Sequence, residues 1–446
     1  MNPELLRNLW LEASPIRLAL IAGLVLLVFA AASAVPPQWG SAESAAQVLY
    51  WFFVVLWGTR NAALSVVAEI RERTWDGQKL SSIGPVQMMW GKLLGSTAAN
   101  WFGGLLCLPP MVAPVLAGQG PRAALLYAGM MLALGLFAQA AALLSSLMLV
   151  RRNTGNWRLD TFLCQVAGIA AAFSYFTLWR SLDAFQTSGA ETLVWWGQVF
   201  NLRAFHLVSL MVFLTWALIG CWRMMRAELR FANGPFVWLA YLAFLCVYEA
   251  GFAPWLVHRL HLDAAPLFDT ILRLVMAVFT LTATTYSMVF LEPKDPVRMR
   301  WLGEQLRAEH LRRAFLALDA WMLSYGAALA ASLVLVALLM ARGSPLVLPA
   351  AALPGFLTRD VAIFVLVRGV AQGKGDLAAL AILGALYVLV PLILRGAGLE
   401  ALLALFLPRL GAPPLTVIAA WAQGLVMAWL ALRSIRPGIR EKLKAA

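Results

Sequence analysis

Apolar positions along the chain come in blocks of about twenty, the length a helix needs to cross a bilayer. Twelve such blocks lie near 18–35, 46–68, 93–117, 123–150, 161–179, 204–222, 236–257, 271–291, 319–340, 353–371, 377–395 and 415–433. Short polar stretches rich in Gly, Pro and charge separate them. Residues 3–14 follow another pattern. Leu5, Leu6, Leu9, Trp10 and Ala13 recur at helical spacing, with Glu4, Arg7, Asn8 and Glu12 between them. That pattern predicts a helix lying on the membrane surface. The fold class expected is all-α, a polytopic membrane protein of about twelve transmembrane helices.

Composition removes the alternatives. Of 446 residues, 62% are hydrophobic and only 13% charged, with a mean hydropathy of +0.77. A soluble domain carries about 25% charged residues, and the twelve blocks leave no stretch for a water-soluble catalytic domain. Nineteen Trp and 23 Phe exclude a disordered chain. The four cysteines, Cys107, Cys164, Cys221 and Cys246, sit inside apolar blocks with no C-x-x-C pairing, so neither a disulfide framework nor a zinc site is expected. Ala32-Ser33-Ala34 after an apolar run mimics a signal-peptide cleavage site. Glu4 and Glu12 precede that run, however, and further spans follow, so an uncleaved first span is expected.

The net charge of +13 suggests no nucleic-acid partner once its distribution is considered. With the amino terminus placed in the cytoplasm, 25 of the 35 basic residues fall in inside segments and 8 in outside ones; Arg60 and Arg359 are intramembrane. This alternation predicts both termini cytoplasmic. Six blocks precede the basic stretch 223–233 and six follow it, giving a 6+6 layout with units 1–233 and 234–446. In each half the longest inner loop joins the second and third spans, at 69–92 and 292–313, and the longest outer loop precedes the last span, at 180–203 and 396–414. The symmetry lies in layout, not in residue identity.

The segment 69–92 reads EIRERTWDGQKLSSIGPVQMMWGK. Its charges alternate in sign, Trp75 follows, Gly84-Pro85 breaks the run, and Met88, Met89 and Trp90 resume it. The reading is a helix continuing the second span, a turn, and a short helix leading into the third. Such alternation suits a protein-docking surface with Trp75 as a partner-facing anchor, whereas a loop that merely sets topology is usually short. In the second half, Leu302, Leu306, Leu311, Phe315 and Leu318 predict one apolar helix face, with Arg300, Arg307, Arg312 and Arg313 around it.

This segment resembles the membrane subunits of ABC-2-type transporters, which carry an acidic-basic stretch, a Thr, a Leu-rich turn and a Gly-Lys opening the third span. Glu69, Glu72, Thr74, Leu80, Gly91 and Lys92 fall on that pattern. Ser82 stands where the family often has Pro, and Gly77-Gln78-Lys79 replaces its Leu-rich stretch, as in a divergent branch. The second half lacks the motif. The resemblance implies six spans per unit, an amphipathic amino-terminal helix, and short re-entrant helices before the last span of each half. It implies an inner-membrane permease that exports a substrate or does mechanical work. Its docking residues would be Glu69, Arg71, Glu72, Arg73, Thr74, Trp75, Gly91 and Lys92, with Arg300, Arg307, Arg312 and Arg313 as a second docking loop. The partners implied are a separate ATP-binding protein that holds ATP and Mg, membrane lipid, and a second copy or another membrane subunit. No G-x-x-x-x-G-K-[ST] loop occurs in the chain, so no catalytic residue and no cofactor are expected here.

Charges inside a span cost about 2.5–3.5 kcal/mol on insertion scales and need a partner or a wet cavity. Arg60 stands near the inner end of its span, where it can snorkel. Glu249 is either half of a structural pair or a pathway residue. Arg359-Asp360 marks a helix break or a late start of the tenth span. Asn100, Gln139 and Gln165 are expected to bond between helices. An ion- or proton-coupled secondary transporter is the alternative, with Glu249 its main support. A membrane transferase would have only Asp263, Asp269, His258 and His261 to work with, and these histidines lack a third metal ligand.

Overall fold

The computed structural model describes residues 2–34, 41–150, 157–186, 192–254, 266–370, 375–411 and 413–435. The described structure is 84% helical. Eleven of the described helices are long and apolar enough to cross a membrane, and the chain is an all-α, multi-pass membrane protein. It divides into two compact units, Met1–Leu193 with Val199–Asn233, and Val194–Gln198 with Gly234–Ala446.

The first unit begins with α1 (Pro3–Glu12), capped by Asn2, whose side chain accepts from the amides of Glu4 and Leu5. It continues with α2 (Pro15–Ala34), α3 (Ala42–Arg71), the short α4 (Trp75–Lys79) and α5 (Pro85–Trp90), then α6 (Ala98–Gln119), α7 (Pro121–Val150), α8 (Trp157–Gln186) and α9 (Leu202–Glu228). Between α5 and α6 the residues Gly91–Gly95 form a π-turn.

Small residues let these helices approach without an internal hydrophobic drive. A Cβ on Gly104 would lie 2.2 Å from Val54, and one on Gly135 would lie 2.4 Å from the same side chain. The core gathers Tyr50, Phe53, Val54, Met111, Met131 and Leu134. Within α3 the turn Trp51–Trp57 is π-helical, and neighbouring helices take its main-chain carbonyls. Gln139 donates to Val54 O (3.0 Å) and Gln165 to Leu56 O (2.9 Å), while Asn61 donates to Asn100 (2.9 Å). An insertion of this kind is a usual cause of a widened turn.

The second unit holds α10 (Phe236–Ala250), α11 (Pro266–Leu291), α12 (Pro296–Arg307), α13 (Leu311–Leu316), α14 (Ala320–Ala341), α15 (Val347–Val370), α16 (Gly375–Gly396) and α17 (Leu415–Ser434). In the seventh apolar block α10 ends at Ala250 after 15 residues and a turn follows at Gly251–Phe252; 255–257 lie outside the described residues. The tenth block is neither broken nor late, because α15 runs unbroken through Arg359 and Asp360. Its tightest packing is with α17. A Cβ on Gly355 would lie 2.8 Å from the backbone of Ala420, and one on Gly424 would lie 2.6 Å from Gly355 O.

The described parts of the two long outer loops contain no re-entrant α-helix. The first forms a hairpin, β1 (Thr192–Trp195) and β2 (Gln198–Asn201). Its two turn residues, Trp196 and Gly197, both have positive φ, +50° and +75°, as a tight I′-type hairpin requires. Trp196 is held there by three contacts in the second unit. Its amide donates to Gly251 O (2.9 Å), its indole donates to Val247 O (3.1 Å), and the Arg273 guanidinium lies 4.3 Å from its ring. The second loop makes a 3-10 turn over Glu400–Leu405.

Candidate functional site

The segment 69–92 is built around a buried ammonium. α3 ends in a cap in which Thr74 N donates to Glu69 O (2.9 Å) and Arg73 N to Ile70 O (3.1 Å). Arg73 sits at φ +59°, a position that usually takes Gly. Past the turn α4 lies against the end of α3, and α5 packs on α9 and α1 and leads into the π-turn that carries Lys92. Lys92 is fully buried; its Nζ donates to Glu4 Oε1 (3.3 Å), to Ser65 O (3.1 Å) and to Glu69. Arg7 also bonds Glu69, and lies 3.0 Å from Glu4. Gln78 Nε2 donates to Glu69 Oε1 (2.6 Å), the oxygen that Arg7 also bonds, while Lys92 takes Oε2. The cations thus match the acids, as burial of charge demands.

Amino-terminal helix α1 is part of this site. A Cβ on Gly91 would stand 2.5 Å from the Glu4 side chain, and one on Gly95 would stand 2.6 Å from Asn8 Cβ. The two glycines, four apart, let the polar Glu4/Asn8 stripe of α1 seat directly on the π-turn. Leu6, Trp10 and Leu11 stay exposed, Trp10 at 85%. The sequence pattern placed this helix on a membrane surface without indicating that its polar stripe docks on 91–95.

The predicted docking residues separate into two sets. Glu69, Gly91 and Lys92 are the interior of the cluster. Arg71, Glu72, Arg73 and Thr74 are exposed at the turn, with Arg71 stacked 4.5 Å over Trp157. Trp75 corrects an expectation. It is 4% exposed, lies 5.0 Å from Lys92 Nζ and 5.6 Å from Lys79 Nζ, and its indole donates to Glu228 Oε2 (3.4 Å). Its large apolar face closes the cluster from within, so it is no partner-facing anchor.

In the second unit the stretch 292–319 is tied down at its base. Lys294 bonds Asp376 (2.9 Å), which also accepts from Arg368 (2.8 Å), and Arg298 pairs with Asp319 (3.0 Å). The stretch is not one helix: α12 ends at Arg307 and α13 begins at Leu311, with Glu309 between them at φ +59°, so the expected apolar face is not continuous. Leu302 is buried, and Leu306, Leu311 and Phe315 are exposed. Arg307, Arg312 and Arg313 are exposed and Arg300 is half-buried, its Nε donating to Pro296 O (3.2 Å).

Arg60 is exposed on α3. Glu249 is half-buried and accepts a hydrogen bond from Thr280, an interhelical pair between α10 and α11. Inside α15, Arg359 and Asp360 gather a polar group. Arg359 Nε donates to Asp360 Oδ1 (2.9 Å), and both phenols, Tyr286 (2.6 Å) and Tyr387 (2.5 Å), donate to Oδ2. Arg359 Nη1 donates to Gln423 (2.9 Å). Sequence reasoning singled out the pair and missed the tyrosines, which lie 74 and 27 residues away. It also missed Glu4, Arg7 and Asp376 as cluster members; their partners are distant in the chain, and no local spacing encodes them.

His258, His261 and Asp263 lie outside the described residues. Asp269 makes an ion pair with Arg273 one helical turn on (2.6 Å). No protein-family model, curated protein or solved structure matches this chain.

Proposed function

We propose that the chain is the inner-membrane permease subunit of an ABC-2-type transporter, coupling ATP hydrolysis on a separate protein to export or to mechanical work in the membrane. One observation carries the reading: an exposed, sign-alternating turn, Arg71–Thr74, stands on a buried ionic base of Lys92, Glu69 and Trp75. A surface that receives force from a partner needs a rigid seat, and this base ties the turn to α3, α1 and the start of α6 together. Closure of a nucleotide-bound partner against the turn would then move those helices as a body, shifting the membrane unit between states. ATP and Mg would be bound by that partner, with both termini of this chain in the cytoplasm.

Affinity purification of the tagged chain from its native membrane tests the reading. An ATP-binding protein should come with it. Arg71→Glu with Arg73→Gly should release that protein while the chain stays folded, because Gly is at ease at φ +59°. Absence of any ATPase, or binding unchanged by the double variant, rejects the proposal.

A second reading is an ion- or proton-coupled carrier. What favours it is Asp360, a fully buried carboxylate inside a span; Glu249 has a simpler structural partner in Thr280. Transport that collapses with the proton gradient while ATP is held constant would select this reading over the first.

A further inference from the structure

We propose that α12 and α13 of the second unit form a docking surface for anionic phospholipid, and not a second seat for a soluble partner. Their depth is fixed by where they are tied. Glu292, just past α11, accepts from the amide of Trp321 in the first turn of α14 (2.9 Å). Arg298 of α12 pairs with Asp319, the cap of α14 (3.0 Å), and donates to Ala317 O (2.8 Å). Phe315 of α13 meets Phe236 at the start of α10, ring edge to face, with centroids 6.1 Å apart. Lys294 reaches Asp376 at the start of α16. The pair therefore lies where α10, α14 and α16 begin and α11 ends, at the level of the headgroups. One side of each helix rests on the unit: Met299 packs on its core, and Leu302 and Ala314 are buried.

The outward side sets the ligand class. Every basic residue of α12 and α13 is an arginine: Arg298, Arg300, Arg307, Arg312 and Arg313. Arg298 is engaged by Asp319 and Arg300 is half-buried, which leaves Arg307, Arg312 and Arg313 exposed, with Glu304 and Glu309 as the acids of the two helices and the turn between them. The balance is positive. A guanidinium matches a phosphate with two parallel donors and is more weakly hydrated than an ammonium, so it gives up less water at a headgroup. Among these arginines Leu306, Leu311, Phe315 and Leu316 are exposed. Leu311 and Phe315 stand one turn apart on α13.

Apolar side chains at headgroup depth, with arginines beside them, are what a helix lying in the interface uses. The leucines and Phe315 enter the acyl boundary, and the long arginine stems let the guanidinium groups stay among the phosphates. The turn Arg71–Thr74 differs in both respects. Its exposed residues are all polar and of both signs, and the neighbouring Trp75 is buried. Mixed signs complement a protein surface, whereas a basic, leucine-bearing face complements an anionic bilayer. The inference does not depend on an ATPase partner.

Lipid photolabelling of the full-length chain tests it, in nanodiscs of equal parts phosphatidylcholine and phosphatidylglycerol with no other protein present. The probes are phosphatidylglycerol and phosphatidylcholine, each carrying a diazirine at the same acyl position near the headgroup, and the labelled peptides are mapped. Phosphatidylglycerol should label 301–316 about fivefold or more above phosphatidylcholine, the worth of one basic residue at an anionic surface. Arg307→Gln, Arg312→Gln and Arg313→Gln together should make the two probes equal at this segment; these side chains are exposed, so the fold should persist. Arg307→Lys, Arg312→Lys and Arg313→Lys together should keep a preference for phosphatidylglycerol, because the charge remains. Leu311→Ser should lower labelling by both probes. Equal labelling of the unaltered chain, or a preference that survives the triple Gln variant, overturns the proposal. So does a protein that co-purifies with the chain and blocks labelling of 301–316, which would make this face a protein-docking surface.

Discussion

Lys92 holds Glu4 from 88 residues away, with Nζ 3.3 Å from Glu4 Oε1 and both side chains buried. The bond joins the first helix of the chain to the residue that leads into α6, and Glu69 from the end of α3 completes it. Removing the ammonium alone would leave two acids facing each other without their main cation. Lys92→Met should therefore cost about 3–5 kcal/mol, the usual penalty for breaking a buried pair. Lys92→Met combined with Glu4→Gln and Glu69→Gln should recover much of that loss. Thermal unfolding of the purified protein in detergent measures both.

Steric contact at the same place gives a separate prediction. Ala at Gly91 or Gly95 would drive a Cβ to within 2.5 Å or 2.6 Å of Glu4 or Asn8. Gly91→Ala or Gly95→Ala should lift α1 off the π-turn and expose residues 3–12 to limited proteolysis. Gly77→Ala is the control, since nothing lies within 4 Å of a Cβ there; it should leave the digestion pattern unchanged.

In the second unit the α15–α17 crossing depends on Gly355 and Gly424. A methyl on Gly355 meets main chain at 2.8 Å, and backbone cannot rotate away as a side chain does. Gly355→Ala should destabilise the protein by about 1–3 kcal/mol, the range for overpacking. Gly326→Ala on α14 meets nothing within 4 Å and should be neutral or slightly stabilising, because Ala favours a helix. Comparing the two melting temperatures checks the claim.

Asp360 and Arg359 should behave as a unit. Asp360→Asn preserves shape and leaves the Arg359 cation buried without its counter-ion, a loss of about 3–5 kcal/mol. Arg359→Met in the same chain should return most of it. A double-mutant cycle by thermal unfolding would show strong coupling; additive losses would mean that Arg359 and Asp360 do not form an ion pair.

The sequence legibly specified the membrane class and most of the spans. Runs such as 18–35 and 123–150 need no tertiary information, since only a helix satisfies every backbone group across a bilayer. It also flagged Arg359 and Asp360, because a charge inside an apolar run is costly wherever it lies. The failures share one cause. Trp75 looked like an anchor for a partner because an aromatic residue in a charged loop reads the same whether it faces outward or inward. The Gly91 and Lys92 that open α6 looked like a local motif, whereas Gly91 receives Glu4 and Lys92 binds it.

The periodicity of the chain alone determined that this is an all-helical, multi-pass membrane protein, because hydrophobic length is a local property that the bilayer reads directly. Tertiary structure alone decided how its charges are matched. Glu4 and Lys92, Lys294 and Asp376, and Asp360 with its two tyrosines are separated by between 27 and 88 residues. In a low dielectric the energy of a charge depends on what stands a few ångströms away, and only the packing of the helices sets that neighbour.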